Sequence, residues 1–149
     1  MDNELMHIVL ADDDEDDRLF FTDAFDELKM DTKVSTYNDG VELMKYLNQE
    51  DALLPNVLFL DLNMPKKSGL ECLKEIKNNK RMANIAIAIY STSASEEDIE
   101  ETFVLGANIY IKKPSDFKAL KKVLSEVISI NWQYHTNSLN KDNFLLRIQ

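Results

Sequence analysis

Five short apolar runs, each separated from the next by a stretch of helical periodicity, constrain this chain more than any other feature. The runs lie near residues 6–11, 33–37, 56–61, 85–90 and 108–111, and each is the length of a strand. Between and after them, apolar residues recur three or four apart near 16–29, 41–49, 69–79, 96–105 and 116–130, which predicts helices there. Parallel strands cannot be joined by a tight turn and need a crossover, usually a helix. The alternation therefore predicts an α/β protein with a five-stranded, doubly wound parallel sheet covered on both faces. Phe21, Phe25 and Leu28, then Val41, Met44 and Leu47, and finally Leu120, Val123, Leu124 and Val127 form the stripes expected to face the core.

The residues at the carboxyl ends of these runs carry the chemistry. Asp12-Asp13-Asp14 comes directly after Ile8-Val9-Leu10-Ala11, and Asp61 directly after Val57-Leu58-Phe59-Leu60. Ser91 follows the fourth run and Lys113 comes after the fifth. Open α/β sheets bind their ligands at the carboxyl ends of the strands, so these four features are expected at one edge. Clustered carboxylates repel and stay ionised only beside positive charge. Mg²⁺ suits such a site, because it takes oxygen ligands from a few carboxylates together with phosphate oxygens. Lys113 supplies a second positive charge, and the two would neutralise a phosphoryl group approaching a carboxylate. Asp61, alone after an apolar strand and ahead of Leu62-Asn63-Met64-Pro65, is the best nucleophile, and its attack gives an acyl phosphate. Taken singly, the acids read as a charged helix start, Ser91 as a strand-end hydroxyl and Lys113 as a surface lysine. Their order along the chain argues against coincidence.

Bulk properties narrow the class. The 149 residues fit a single domain able to bury roughly 70% of its unfolded surface. Seventeen basic against twenty-seven acidic residues give a formal charge of −10, which argues against nucleic acid as a partner. No apolar stretch approaches the ~20 residues that span a bilayer, and Met1-Asp2-Asn3-Glu4 lacks a basic signal-peptide start, so no membrane association and a cytoplasmic location are expected. The one cysteine, Cys72, falls among Leu70, Leu73 and Ile76 and reads as packing. Asn38-Asp39-Gly40 reads as a helix entry, Ser95 before Glu96, Glu97 and Asp98 as a capped helix start, and Pro114-Ser115-Asp116 as another. Residues 131–149 form an extension whose Trp132, Tyr134, Phe144, Leu145, Leu146 and Ile148 are too apolar for a solvated tail. It is expected to pack back on the domain or to serve a partner or homodimer contact. His135, without a neighbouring Cys or His, is a weak metal signal.

Over residues 5–130 the chain resembles the response-regulator receiver domain, the chemotaxis-regulator-like phosphoacceptor module of two-component signalling. The matching stretches are Ile8 to Asp14, Leu60-Asp61-Leu62-Asn63-Met64-Pro65 with Ser68-Gly69-Leu70, Tyr90-Ser91-Thr92-Ser93, and Gly106-Ala107-Asn108-Ile109-Tyr110-Ile111-Lys112-Lys113-Pro114. The resemblance implies a flavodoxin-like fold with strand order 2-1-3-4-5. It implies Asp12 and Asp13 as the acidic pair, Asp61 as the phosphorylated residue and the Asn63 main-chain carbonyl as a further Mg²⁺ ligand. Ser91 would be the switch hydroxyl, Tyr110 the aromatic that changes orientation, and Lys113 the phosphate-pairing lysine, aimed by a cis bond to Pro114. A histidine kinase or histidine phosphotransfer protein would donate the phosphoryl group, and a downstream protein would read the switched surface. Asn63 and Ser93 would tune hydrolysis.

The departures are small. Serine stands where threonine is commoner at the switch, Asp14 is an extra acid, and Thr92 is the hydroxyl if the register slips by one. Lys112 is excluded by the lysine-proline pattern. Rival readings are a haloacid-dehalogenase-like phosphohydrolase, disfavoured by Asn63 where that family needs a second aspartate, a flavin-binding protein, and a degenerate receiver serving only as an interaction module.

Overall fold

Strand β1 (Met6–Ala11) divides its side chains between two cores: Ile8 and Leu10 enter one, Val9 and Ala11 the other, and all four are fully buried. The same alternation holds in β3 (Val57–Leu60), β4 (Ala86–Ser91) and β5 (Ile109–Lys112), which is why these strands read as unbroken apolar runs. β2 (Thr32–Tyr37) is less buried. The computed structural model describes residues 5–129 and 145–146.

Helices α1 (Glu15–Leu28) and α5 (Phe117–Ser129) cover one face of the sheet, with Phe21, Ala24, Phe25, Leu120, Val123, Leu124 and Val127 in its core. Helices α2 (Gly40–Leu47), α3 (Gly69–Lys77) and α4 (Glu96–Val104) cover the other. The expected punctuation appears as caps: Asp39 accepts from the Glu42 amide and Ser95 from the Asp98 amide. Asp14, the extra acid, accepts from the Asp17 amide and starts α1. Ser68 and Glu71 form a reciprocal capping box on α3.

The first five strands run parallel in the order β2-β1-β3-β4-β5, so the anticipated 2-1-3-4-5 sheet is present, with one addition beyond β5. The addition is β6 (Leu145–Leu146), which pairs in parallel with Tyr110 and Ile111 of β5. It belongs to the C-terminal extension, whose remaining residues, Trp132, Tyr134, His135, Phe144 and Ile148 among them, lie outside the described residues. Two expectations need correction. Val41 is exposed; α2 turns Gly40 and Leu43 inward beside Met44 and Leu47, so the buried stripe keeps its two later expected members and passes Val41 by. Among the described residues no peptide bond is cis, so Lys113–Pro114 is trans; the four-carbon lysine stem reaches the sheet edge without the turn a cis bond would give. Cys72 is buried, its thiol directed at the Gly40 carbonyl and pushed up to about 12 by desolvation, as a packing residue should be.

Candidate functional site

Register places the acids. Ala11 pairs with Leu60 and the ladder continues one step beyond, the Asp61 amide donating to the Ala11 carbonyl (3.0 Å) and the Asp12 amide to the Tyr37 carbonyl (3.0 Å). Asp12 and Asp61 thus emerge side by side at the carboxyl edge. The loop after β3 is folded back by the Gly69 amide donating to the Leu62 carbonyl (2.9 Å), which brings α3 against the Asp61 backbone. A Cβ at Gly69 would overlap the Asp61 carbonyl oxygen, so this close approach needs glycine.

Asp12, Asp13 and Asp61 each offer a carboxylate oxygen within 4.8 Å of the others. Asp12 and Asp61 are buried and Asp13 is exposed. Desolvation raises both buried carboxyls above their ordinary value. In Asp61 it outweighs the opposing Lys113 charge, is reinforced by Asp12, and brings the group to about 6. The Asp12 Oδ2 atom is buried and has no hydrogen-bond donor; Lys113 Nζ lies 2.8 Å away as an ion pair, off the hydrogen-bonding direction. A buried anionic oxygen of this kind, beside two more carboxylates, is chemically suited to a hard divalent cation. Asn63 is exposed in the loop and its amide donates to Asp61 Oδ1 (3.3 Å).

The other two strand ends complete the edge. The Lys113 amide donates to the Ser91 carbonyl (2.8 Å), carrying Lys113 past the end of β5. Its ammonium lies 2.8 Å from Asp12, 2.8 Å from Asp17 and 3.4 Å from Asp61, and 5.4 Å from the centre of the Tyr90 ring. Burial opposes its charge, but the close carboxylates of Asp12 and Asp17 and the field of Asp61 prevail and hold it above the ordinary lysine value. Ser91 is fully buried and its Oγ accepts from the Ser93 amide (3.1 Å), whereas Thr92 is exposed; Lys112 is likewise exposed while Lys113 turns in. Tyr110 lies buried on the α4 side, its hydroxyl donating to the Ser93 carbonyl (2.6 Å), and burial pushes that phenol up to about 12.

The sequence singles out Asp12, Asp13, Asp61, Asn63, Ser91, Tyr110 and Lys113, and the fold gathers all of them around one edge. Sequence reasoning missed Asp17. The signal was spacing: Asp17 stands one turn before the buried Phe21 and so begins the inward stripe of α1.

The profile of the response regulator receiver domain matches residues 8–125. This chain belongs to the receiver family. The response regulator Rcp1 of Synechocystis sp. is 32% identical over 126 residues, covering 82% of this chain and 86% of that protein. A crystal structure of the Mn(2+)-bound form of Rcp1 superposes with a TM-score of 0.76 at 31% identity, over 84% of this chain and 93% of that one. The phosphorylated cyanobacterial phytochrome response regulator RcpA superposes with a TM-score of 0.78 at 30% identity, over 92% and 98%. Receivers are signalling proteins of two-component systems, not enzymes with an external substrate, and membership replaces the hydrolase and flavin-binding readings. Among the described residues of this receiver, no helix is long and apolar enough to cross a membrane.

Proposed function

We propose that this receiver is a cytoplasmic response regulator that accepts a phosphoryl group on Asp61 from a histidine kinase or histidine phosphotransfer protein. The observation that carries the reading is the Asp61 carboxylate at the sheet edge, clustered with Asp12 and Asp13 and 3.4 Å from the Lys113 ammonium. An Asp61 oxygen attacks the phosphorus of the donor's phosphohistidine. The P–N bond breaks, its electron pair stays on the imidazole nitrogen, which takes up a proton, and an acyl phosphate remains. Water attacking the phosphorus later returns the carboxylate and inorganic phosphate.

Asp12, Asp13, Asp61 and the Asn63 carbonyl would hold Mg²⁺, which supplies charge neutralisation for the phosphoryl oxygens when bound. The Mn(2+)-bound form of Rcp1 and the phosphorylated state of RcpA support this reading. Lys113 offers a fixed positive charge on the other flank. Ser91 turns to donate its hydroxyl to a phosphoryl oxygen, and that turn draws Oγ away from the Ser93 amide it accepts from. Because Tyr110 is tied to the carbonyl of that same Ser93, the loop from Ser91 to Ser95 transmits the change to α4 and β5, biasing the surface that a downstream protein reads.

The test is intact-mass measurement after exposure to acetyl phosphate with Mg²⁺. The parent is expected to gain one phosphoryl group, lose it on standing, and gain none when the metal is chelated. Persistence of the mass increase in Asp61→Asn would move the acceptor elsewhere.

A further inference from the structure

Helix α1 spends its third residue in an unusual way. In α3 the residue at this position, Glu71, reaches back to the Ser68 amide and closes a capping box. In α1 the equivalent residue is Asp17. Its amide is served by Asp14, but its carboxylate crosses to Lys113, 96 positions away in sequence and 2.8 Å away in space. The local helix-capping bond is forgone for a long-range one.

The separation of the two groups is set by rigid packing, not by the reach of flexible chains. Phe20 of α1 and Phe117 of α5 pack with ring centres 5.2 Å apart, and Glu27 pairs with Lys121 at 3.0 Å, so α1 and the segment after β5 are held together along their length. The Arg18 guanidinium, next to Asp17, donates to the Asp12 carbonyl (2.8 Å) and fixes the first turn of α1 against the end of β1.

An ammonium has three hydrogens and no fixed direction of its own. Lys113 meets three carboxylates, and two of them have other tasks in the phosphoryl transfer: Asp12 would hold the metal and Asp61 becomes an acyl phosphate. Asp17 is outside the metal-suited cluster and is not esterified. Of the three carboxylates around Lys113, it alone is free of both tasks.

We propose that Asp17 is the positioning residue for Lys113, anchoring the ammonium from the α1 side so that a free N–H faces the phosphoryl group on Asp61. The proposal rests on Asp61 being the acceptor. It makes the first turn of α1 part of the phosphorylation machinery, through Lys113 and without contact with the phosphoryl group.

Two measurements test it. Phosphorylation by acetyl phosphate is followed in the parent, Asp17→Asn, Asp17→Glu, Lys113→Ala and the Lys113→Ala/Asp17→Asn double variant. Asp17→Asn is expected to slow modification by about tenfold, the weight of one charge-assisted hydrogen bond, and to have no further effect once Lys113 is absent. Asp17→Glu is expected to recover most of the rate. Equal losses in both backgrounds, no loss, or acceleration would each overturn the proposal, since a helix-start role is indifferent to Lys113. The second measurement is independent of phosphate. In ¹⁵N-lysine-labelled protein one ammonium signal is expected to be protected from solvent exchange, to persist in Asp61→Asn and to vanish in Asp17→Asn. A signal surviving in Asp17→Asn refutes the anchor. A parent that takes up no phosphate refutes the Asp61 assignment, while the ammonium signal still decides Asp17.

Discussion

Replacing Asp61 by asparagine should make the metal-free protein more stable, by an amount that depends on pH. Asp61 titrates at about 6 in the fold against an ordinary 3.8, because burial and Asp12 outweigh what Lys113 offers. A carboxyl raised in this way favours the protonated native state, so its contribution is complete below 3.8 and is lost as pH rises through about 6. At ~1.4 kcal/mol per pH unit, keeping Asp61 ionised costs the fold about 3 kcal/mol near pH 7.5 and about 1 kcal/mol near pH 4.5. Asparagine has nearly the same shape and no charge. Urea unfolding of both proteins in chelator should therefore show a stability gap that widens by about 2 kcal/mol between those pH values. Near pH 7.5 the variant should melt about 10 °C higher. Adding Mg²⁺ should narrow the gap, since an ion bound only by the native parent stabilises it by mass action. A gap that stays constant with pH, or an asparagine variant less stable than the parent near neutrality, would refute the reasoning.

Gly69→Ala should destabilise by about 3 kcal/mol in urea, from overlap with the Asp61 carbonyl and loss of the bond to Leu62, and should also slow phosphorylation by displacing Asp61. Lys29, at the left-handed C-cap of α1 with φ 53°, should gain about 0.5–1 kcal/mol when changed to glycine, read as a higher urea midpoint. His7 is buried with its Nδ1 unpartnered, and desolvation, helped by Lys33, lowers it from 6.5. The neutral form is the native one, so the His7 contribution to stability should fall as pH drops below 6.5, and His7→Gln should remove that contribution in parallel urea titrations of variant and parent.

The strands and helices were legible because the central strands are buried on both faces and each helix has a stripe, so period and run length speak for themselves. The strand-end residues were legible for a related reason: an aspartate after Val57-Leu58-Phe59-Leu60 has nowhere to be but the edge of the sheet. Asp17 was hidden among six consecutive acidic positions, Asp12 to Asp17, and only the phase of α1 separates it from its solvated neighbours. Val41 misled because it is apolar yet sits in the first turn of α2, where the position of Gly40 sets the phase. β6 left no readable trace, since two leucines in a mixed segment match a strand no better than a helix. The trans bond before Pro114 was beyond reach, because geometry carried over from relatives need not be required when the side chain is long enough to do without it.

Asp12, Asp61 and Lys113 each leave the sheet from a main-chain hydrogen bond, to Tyr37, Ala11 and Ser91 respectively. Such bonds are blind to side-chain identity. The scaffold and the reactive groups are therefore separable: mutation can rewrite the chemistry at this rim, silencing or retuning the signal, while the architecture beneath it assembles as before.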